Sequence, residues 1–144
     1  MKNNRSGFSF IEILVVVAII SILATIVGVS IWPQLSGASV TAAKTQIGNF
    51  RTALATYYKD NLSFPTAEQG LSALCKAPTL PPEPKHYQEG GYLDSRDVPK
   101  DPWGSDYIYN VPGPEGKPYE IISLGRDGKE GGEGADADIS SLDL

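Results

Sequence analysis

The sequence has little of several residue types on which common functions depend. Cys75 and His86 are the only cysteine and the only histidine among 144 residues. A single cysteine cannot form an intramolecular disulfide, and this pair cannot supply a structural zinc site. Basic residues are also outnumbered, with 12 Lys and Arg against 17 Asp and Glu. Without a basic surplus to neutralise phosphates, nucleic-acid binding is disfavoured.

Signs of catalysis are missing as well. No G-x-x-x-x-G-K-[ST] motif occurs, and no spacing of acid, base and nucleophile resembles a triad. Cys75 is more typical of a small buried hydrophobe than of a nucleophile. His86 falls in a proline-rich stretch and is interpreted as a surface residue. The sequence therefore predicts a protein that is not an enzyme.

The most informative feature that is present is an uncharged run near the N-terminus. No residue from Ile13 to Leu35 carries a charge, and most are aliphatic. At about 1.5 Å per residue, a helix of these 23 residues would span roughly 35 Å, more than the roughly 30 Å hydrocarbon core of a bilayer. A helix in a soluble core rarely stays apolar on every side for so long. The run therefore predicts a transmembrane helix.

Three observations distinguish this run from a removable secretory signal. It is longer than the apolar core of most signal peptides, and no clear A-x-A site closes it. Glu12 stands at its start, where a costly carboxylate indicates a function, although an interfacial position that reaches water is the alternative. Lys2 and Arg5 are the only basic residues before Lys44. The N-terminus is therefore predicted to stay in the cytoplasm while the remainder crosses the inner membrane.

The segment Gly7-Phe8-Ser9-Phe10-Ile11-Glu12 resembles the cleavage motif of type IV prepilins, with Phe10 in place of the common Leu. The resemblance implies cleavage between Gly7 and Phe8 by a prepilin peptidase, methylation of the Phe8 amine, and a filament built on the retained helix. Phe8 and Glu12 share a helical face, being four residues apart. An ammonium–carboxylate pair recovers much of the cost of a carboxylate in an apolar bundle. By analogy, the Phe8 amine of one subunit meets Glu12 of a neighbour.

Beyond the apolar run the pattern becomes amphipathic. Apolar residues recur at spacings of three and four, which predicts a helical face packed on a core. They are Val40, Ala43, Ile47, Phe50, Leu54 and either Tyr57 or Tyr58. Together the two patterns predict one helix from about Ile11 to Asp60. A second, short helix is predicted from Thr66 to about Lys76, because Thr66 and Gln69 fit a capping box.

The remainder of the chain is predicted to form a small sheet. Residues 77–91 are rich in proline, which predicts an extended surface loop. Alternating segments predict strands at 106–110 and 119–124, joined by a turn at 112–116, with a third strand near Tyr92-Leu93. An antiparallel sheet that covers the long helix gives an α+β fold class.

Five blocks of sequence, in order, resemble the major (G-type) pseudopilins of type II secretion systems. They are Thr66–Leu71, Pro81–Pro84, Gly90–Leu93, Asp101–Gly104 and Ser123–Gly128. With the prepilin-type motif, the resemblance covers the chain from Gly7 to nearly its end. Pilins of type IVa surface fibres usually close a C-terminal loop with two cysteines, which this chain lacks. The resemblance implies a type IV pilin-like fold, with a long N-terminal helix, transmembrane in its first half, packed on a small antiparallel sheet.

The segment Asp127–Asp138 holds five carboxylates and four glycines. Composition alone favours a disordered acidic tail over a metal site, and Lys129 and Gly131 stand where an EF-hand needs ligands. The resemblance reverses this preference, because it implies a structural calcium ion in this loop. Carried over by position, the ligands are Asp127, Asp138 and the Leu124 carbonyl, with Glu133 and Asp136 as secondary candidates.

These observations predict three segments: a basic leader at 1–7, a transmembrane and assembly helix at 8–35, and a periplasmic globular domain at 36–144. The resemblance implies the major subunit of a type II secretion pseudopilus, polymerising through its helix to drive protein export across the outer membrane. The implied partners are further copies of the chain, minor pseudopilins, an inner-membrane assembly platform driven by a cytoplasmic ATPase, and the prepilin peptidase. Two alternatives remain open: a type IV pilin of a surface fibre, and a secreted calcium-binding domain.

Overall fold

The computed structural model describes residues 9–144, with the side chains of residues 25–36 excepted. The chain divides into two compact units, Met1–Ser36 and Gly37–Leu144. Helix α1 covers Phe10–Asn61, which confirms the single long helix predicted from the two apolar patterns. Within the described residues, no helical stretch combines the length and the apolar character that crossing a bilayer requires.

One face of α1 forms the floor of the core in the second unit. Most of the predicted periodic positions are buried there, namely Ala43, Ile47, Phe50, Leu54 and Tyr57, while Val40 is partly buried and packs against this core. Of the two adjacent tyrosines, Tyr57 is 2% exposed and Tyr58 is 44% exposed. From Ala43 these buried positions alternate steps of four and three residues, and Tyr57 continues that alternation, whereas Tyr58 lies one residue beyond it.

The segment after α1 keeps its predicted cap but not its predicted helix. The Thr66 amide donates to Gln69 Oε1 over 3.0 Å, and the Gln69 amide donates to Thr66 Oγ1 over 3.2 Å, which confirms the capping box. The predicted helix from Thr66 to Lys76 is wrong, since only Leu71–Leu74 are helical and their geometry is 3₁₀. Gly70 has φ of 60°, a left-handed conformation that interrupts a right-handed helix.

Within the described residues, the sheet has three antiparallel strands in the order β1-β2-β3. Strand β1 is Ile108–Asn110, β2 is Glu120–Ser123 and β3 is Ile139–Ser140. The first two confirm the predicted strands within shorter bounds. The third strand was predicted near Tyr92-Leu93, and this is wrong. The amides of both residues donate to the Leu74 carbonyl, so this segment is bonded to the end of the 3₁₀ helix.

The sheet closes the core above α1. Ile121 and Ile139 pack with the buried face of the helix, and Tyr107 packs its ring against the edge of Phe50 with centroids 5.0 Å apart. Each such buried side chain contributes about 1.5–3 kcal/mol of hydrophobic stabilisation. Cys75 is buried within this unit, as predicted for a small hydrophobe, and His86 is exposed, as predicted for a surface residue.

Candidate functional site

The first candidate site is the start of α1. Gly7 and Phe8, the predicted cleavage and methylation residues, lie outside the described residues. Glu12 lies in the first helical turn and is exposed. Its Oε2 accepts from the Ser9 amide over 3.4 Å, and its own amide donates to the Ser9 carbonyl over 3.0 Å. The carboxylate thus sits at the positive end of its own helix and makes one of the two bonds of a capping box. Its pairing with a neighbouring Phe8 stays a prediction.

The helix surface that follows Glu12 is apolar and uncovered. The aliphatic side chains from Ile11 to Leu23 are between 47% and 64% exposed, and Phe10 is 81% exposed. A contiguous apolar surface of this extent marks a contact with a partner or a membrane. No buried core exists within this stretch to account for so many aliphatic residues, as far as its side chains are described.

The second candidate site is the acidic loop, residues 124–138, which connects β2 to β3. Its base rests on a buried carboxylate. Asp101 Oδ2 accepts from Ser123 Oγ over 2.8 Å, and Ser123 Oγ in turn accepts from the Gly125 amide over 3.4 Å. Asp101 Oδ1 accepts from the amides of Trp103 and Ser105. The Asp101 side chain therefore holds the Asp-Pro-Trp-Gly turn directly and the beginning of the acidic loop through Ser123.

An ion pair crosses the acidic loop. Arg126 Nε lies 2.7 Å from Asp136 Oδ1, and Arg126 Nη2 lies 2.8 Å from Asp136 Oδ2. The Arg126 amide also donates to the Ala135 carbonyl over 2.9 Å. The hydrogen bonds from Arg126 lower the pKa of the Asp136 carboxyl, and the same hydrogen bonds raise the pKa of Arg126. The pair joins the outgoing and returning arms of the loop.

The other predicted calcium ligands make backbone contacts. Asp127 Oδ1 accepts from the Lys129 amide over 3.1 Å, and Asp138 Oδ2 accepts from the Gly131 amide over 2.9 Å. Among the described residues, the second oxygen of each carboxylate has no hydrogen-bond donor. The Glu133 side chain is exposed, and the Leu124 residue is half-buried.

The donor chemistry of Asp127 and Asp138 fits a calcium ion. Calcium takes six to eight oxygens, including carboxylates and main-chain carbonyls, and a glycine-rich segment can present such carbonyls. The Asp136 oxygens are both engaged by Arg126. In the part of the chain that the structure describes, no three His, Cys, Asp or Glu side chains come together as a metal-binding group. The calcium ligands stay predictions.

Sequence reasoning missed the roles of Asp101, which lies beneath this loop, and of Arg126, which lies within it. Asp101 had a local signal, because Asp followed three residues later by Gly is a common turn pattern. Its burial beneath the acidic loop depends on tertiary packing. Arg126 had no such signal, since its partner Asp136 is ten residues away and meets it only when the loop closes.

A long N-terminal helix that packs on a small antiparallel sheet, preceded by a prepilin-like motif, defines a type IV pilin-like protein. Comparison with family models agrees. Residues 2–28 match the prokaryotic N-terminal methylation motif, and residues 30–142 match type II secretion system (T2SS), protein G. The chain belongs to the type II secretion system protein G family.

Individual relatives support this assignment along the whole chain. The type II secretion system core protein G of Pseudomonas aeruginosa strain PAO1 is 46% identical over 142 residues, covering 99% of this chain and 98% of the relative. That of Vibrio cholerae serotype O1 is 44% identical over 146 residues, covering 100% of this chain and 97% of the relative.

The fold is also similar to a solved structure. The crystal structure of the major pseudopilin from the type 2 secretion system of enterohaemorrhagic Escherichia coli matches with a TM-score of 0.65 at 36% identity, covering 77% of this chain and 92% of that chain. These findings confirm the predicted fold and the interpretation as a pseudopilus subunit. The family is one of structural subunits, and the methylation motif together with family membership fits an inner-membrane-anchored, periplasmic pseudopilus.

Proposed function

We propose that this chain polymerises through its N-terminal helix and that growth of the periplasmic pseudopilus drives protein export across the outer membrane. The observation that carries the proposal is the uncovered apolar surface from Ile11 to Leu23, which begins at the Glu12 carboxylate. The proposed arrangement is a leader at 1–7, a single transmembrane and assembly helix at 8–35, and a periplasmic domain at 36–144. The chain has a structural role and is not an enzyme.

The proposed mechanism requires no energy source within the chain. The proposed partners are further copies, minor pseudopilins, an inner-membrane assembly platform driven by an ATPase, and the peptidase that cuts between Gly7 and Phe8. Burial of apolar helix surface between subunits supplies association energy at about 25 cal/mol per Å². The Phe8 ammonium pairs with Glu12 of a neighbouring subunit. That ion pair replaces the 3.4 Å hydrogen bond that Glu12 accepts from Ser9 in the single chain.

The assembly proposal is tested at Glu12. Glu12→Ala and Glu12→Gln are expected to insert and be cleaved normally but to give far fewer filaments, because neither can pair with an ammonium. Glu68→Ala, which changes an exposed carboxylate in the second unit, is the matched control. Filament yield is measured by shearing and sedimentation, and cleavage by the mass of the N-terminal peptide. Normal filaments from Glu12→Ala would contradict the pairing, and a mature N-terminus beyond Gly28 would contradict the retained helix.

We further propose that the acidic loop holds a structural calcium ion. Asp127 and Asp138 supply carboxylate oxygens and Leu124 supplies its carbonyl, with Glu133 as a secondary candidate. Asp136, the other secondary candidate by resemblance, has both of its oxygens on Arg126. Such an ion offsets the repulsion among the carboxylates, and its binding energy adds to the stability of the folded loop. The oxygens that Asp127 and Asp138 do not use in backbone hydrogen bonds support this assignment.

The calcium proposal is tested by thermal unfolding with and without the ion. The unaltered chain is expected to melt at a higher temperature in calcium than in chelator. Asp127→Ala is expected to lose most of that increase, while Asp143→Ala, an exposed carboxylate outside the loop, keeps it. An equal calcium response in the chain and in Asp127→Ala would refute the assignment of this ligand.

A further inference from the structure

The acidic loop contains a cation of its own. Arg126 presents two guanidinium nitrogens to the two oxygens of Asp136, at 2.7 and 2.8 Å. This is the parallel, two-bond geometry in which arginine and carboxylate interact most strongly. The Arg126 amide adds a third link across the loop through the Ala135 carbonyl. Arg126 on the outgoing arm is thus joined to the returning arm by a side-chain connection to Asp136 and a main-chain connection to its neighbour Ala135.

We infer that Arg126 is the resident cation of the acidic loop: it closes the base of the loop on Asp136 without metal, and it withholds Asp136 from a divalent ion. The second half of this inference rests on the proposed calcium site, whereas the first half does not. Asp136 is thereby a positioning residue for the loop, and the work of holding calcium falls to Asp127 and Asp138.

The backbone around the pair is built for this closure. A Cβ on Gly125 would lie 2.7 Å from the Ala137 carbonyl oxygen, and a Cβ on Gly132 would collide with the Asp136 carbonyl oxygen. At both positions any larger residue would clash with the backbone of residues 136–137, and only glycine fits. The close approach brings Asp136 within reach of Arg126, so the ion pair and the glycine contacts depend on the same closed conformation.

Solvent limits the strength of the ion pair but not its effect on ligand choice. The Arg126 and Asp136 side chains are 55% and 31% exposed, so the pair is partly screened by water and salt. A divalent ion that used Asp136 would have to displace a two-bond partner and would lie beside a fixed positive charge. At Asp127 and at Asp138 the ion would compete with only one backbone amide each.

The closure without metal is tested first, on the full chain purified in detergent and kept in chelator. Arg126→Ala, Asp136→Asn and the double variant are compared by thermal unfolding and by the rate of proteolysis within the loop. Both single variants are expected to melt earlier and to be cut faster, and the double variant is expected to match the more damaged single variant. Arg126→Lys, which keeps the charge but loses the forked geometry, is expected to fall between. If the loss of stability in the double variant equals the sum of the two single losses, Arg126 and Asp136 act independently and the proposed closure is wrong.

Calcium titration by calorimetry tests whether Arg126 keeps Asp136 from binding the ion. Asp136→Asn is expected to change the calcium dissociation constant by less than about threefold, whereas Asp127→Asn weakens binding by more than about tenfold. Arg126→Ala is expected to tighten binding, and adding Asp136→Asn to it is expected to remove that gain. A loss of more than about tenfold in Asp136→Asn alone would show that Asp136 is a ligand and overturn the withholding. If the unaltered chain binds no calcium, the proposed calcium site and the withholding fail together, and the chelator experiment still decides the closure.

Discussion

Ser123 Oγ donates a hydrogen bond to Asp101 Oδ2 over 2.8 Å, and both residues are buried, with 0% and 4% of their surfaces exposed. Asp101 Oδ1 holds the amides of Trp103 and Ser105, and Ser123 Oγ accepts from Gly125. A buried carboxylate survives because every oxygen has a donor. The network ties the end of β2, the turn after residue 101 and the base of the acidic loop to one another.

Removing either partner is expected to destabilise the second unit. Asp101→Ala leaves three donors unsatisfied and is expected to lower the free energy of unfolding by about 3 kcal/mol or more, and Ser123→Ala by about 1–3 kcal/mol. The double variant should lose less than the sum, because the two residues share a bond. Urea unfolding measures all three. Asp106→Ala, whose exposed carboxylate lies 3.5 Å from Lys100 Nζ, is the control and should change stability by less than about 1 kcal/mol.

Removing the Tyr107 hydroxyl is not expected to destabilise the protein, because this hydroxyl is buried without a hydrogen-bond partner among the described residues. Tyr107→Phe removes that oxygen and is expected to leave stability unchanged or to raise it by up to about 1 kcal/mol. Tyr109→Phe is the matched variant. The Tyr109 hydroxyl donates to the Pro65 carbonyl over 3.1 Å, so its loss should lower stability by about 1 kcal/mol. Equal losses from both would contradict the difference in bonding.

The buried Tyr107 hydroxyl is also expected to make the folded state less stable at alkaline pH. Burial, and to a smaller extent the charge of Asp101, raises the pKa of Tyr107 to about 12 from 10.0. A raised pKa favours the protonated form in the folded state, so the stabilisation is complete below pH about 10 and is lost as the pH rises toward 12. Between these values the free energy of unfolding should fall by about 1.4 kcal/mol per pH unit for this group. Urea midpoints measured from pH 8 upward should fall less steeply for Tyr107→Phe; an identical slope would refute the assignment.

Gln69 is the buried anchor of the proline-rich segment. Its Nε2 donates to the carbonyls of Leu80 and Pro82 over 2.7 and 2.9 Å, while its Oε1 accepts from the Thr66 amide. Gln69→Glu keeps the shape but replaces the donor with a charged acceptor facing two carbonyls. It is expected to cost about 3 kcal/mol or more, measured by chemical unfolding. Gln88→Glu, at an exposed position, should hardly change the free energy of unfolding. A similar cost at both positions would contradict the role of Gln69 as a buried anchor.

Two glycines of the acidic loop separate backbone strain from steric crowding. Gly125 and Gly128 have φ of 67° and 64°, so alanine suffers the same left-handed conformation at either position. Only Gly125 is crowded, because a Cβ there meets the Ala137 carbonyl oxygen at 2.7 Å, whereas at Gly128 the nearest atom is 3.7 Å away. Gly125→Ala should therefore lower the free energy of unfolding, measured by urea unfolding, more than Gly128→Ala does, by at least about 1 kcal/mol. Equal effects would mean that the arms can move apart freely.

The features that the sequence predicted well are those with a period or a local chemical pattern. The buried face of α1 follows from the spacing of Ile47, Phe50 and Leu54, and two strands follow from alternation. The Thr66–Gln69 cap was also correct, but it begins a turn and a 3₁₀ helix. The positive φ of Gly70 prevents a continuous α-helix from Thr66. A glycine near the start of a short pattern does not reveal from sequence which sign its φ will take.

The features that escaped prediction depend on tertiary contacts. Strand β3 has two residues, too few for an alternating pattern, and it exists because β2 pairs with it. The Asp101 network and the Arg126–Asp136 pair join residues 22 and 10 positions apart. No local spacing specifies such pairs. The acidic composition favoured a disordered tail, whereas the structure shows a loop with internal links. The calcium site implied by the resemblance stays a prediction.

The shortness of β3 has a consequence for how this protein opens. A strand of two residues makes few backbone hydrogen bonds with β2. Ile139 therefore stays in the core only while the acidic loop, which precedes it in the chain, keeps its closed conformation. Hydrogen exchange should therefore report one cooperative unit, in which the amides of β3 and the acidic loop become accessible together at a cost below that of global unfolding. Whatever releases the loop also uncovers one edge of the hydrophobic interior.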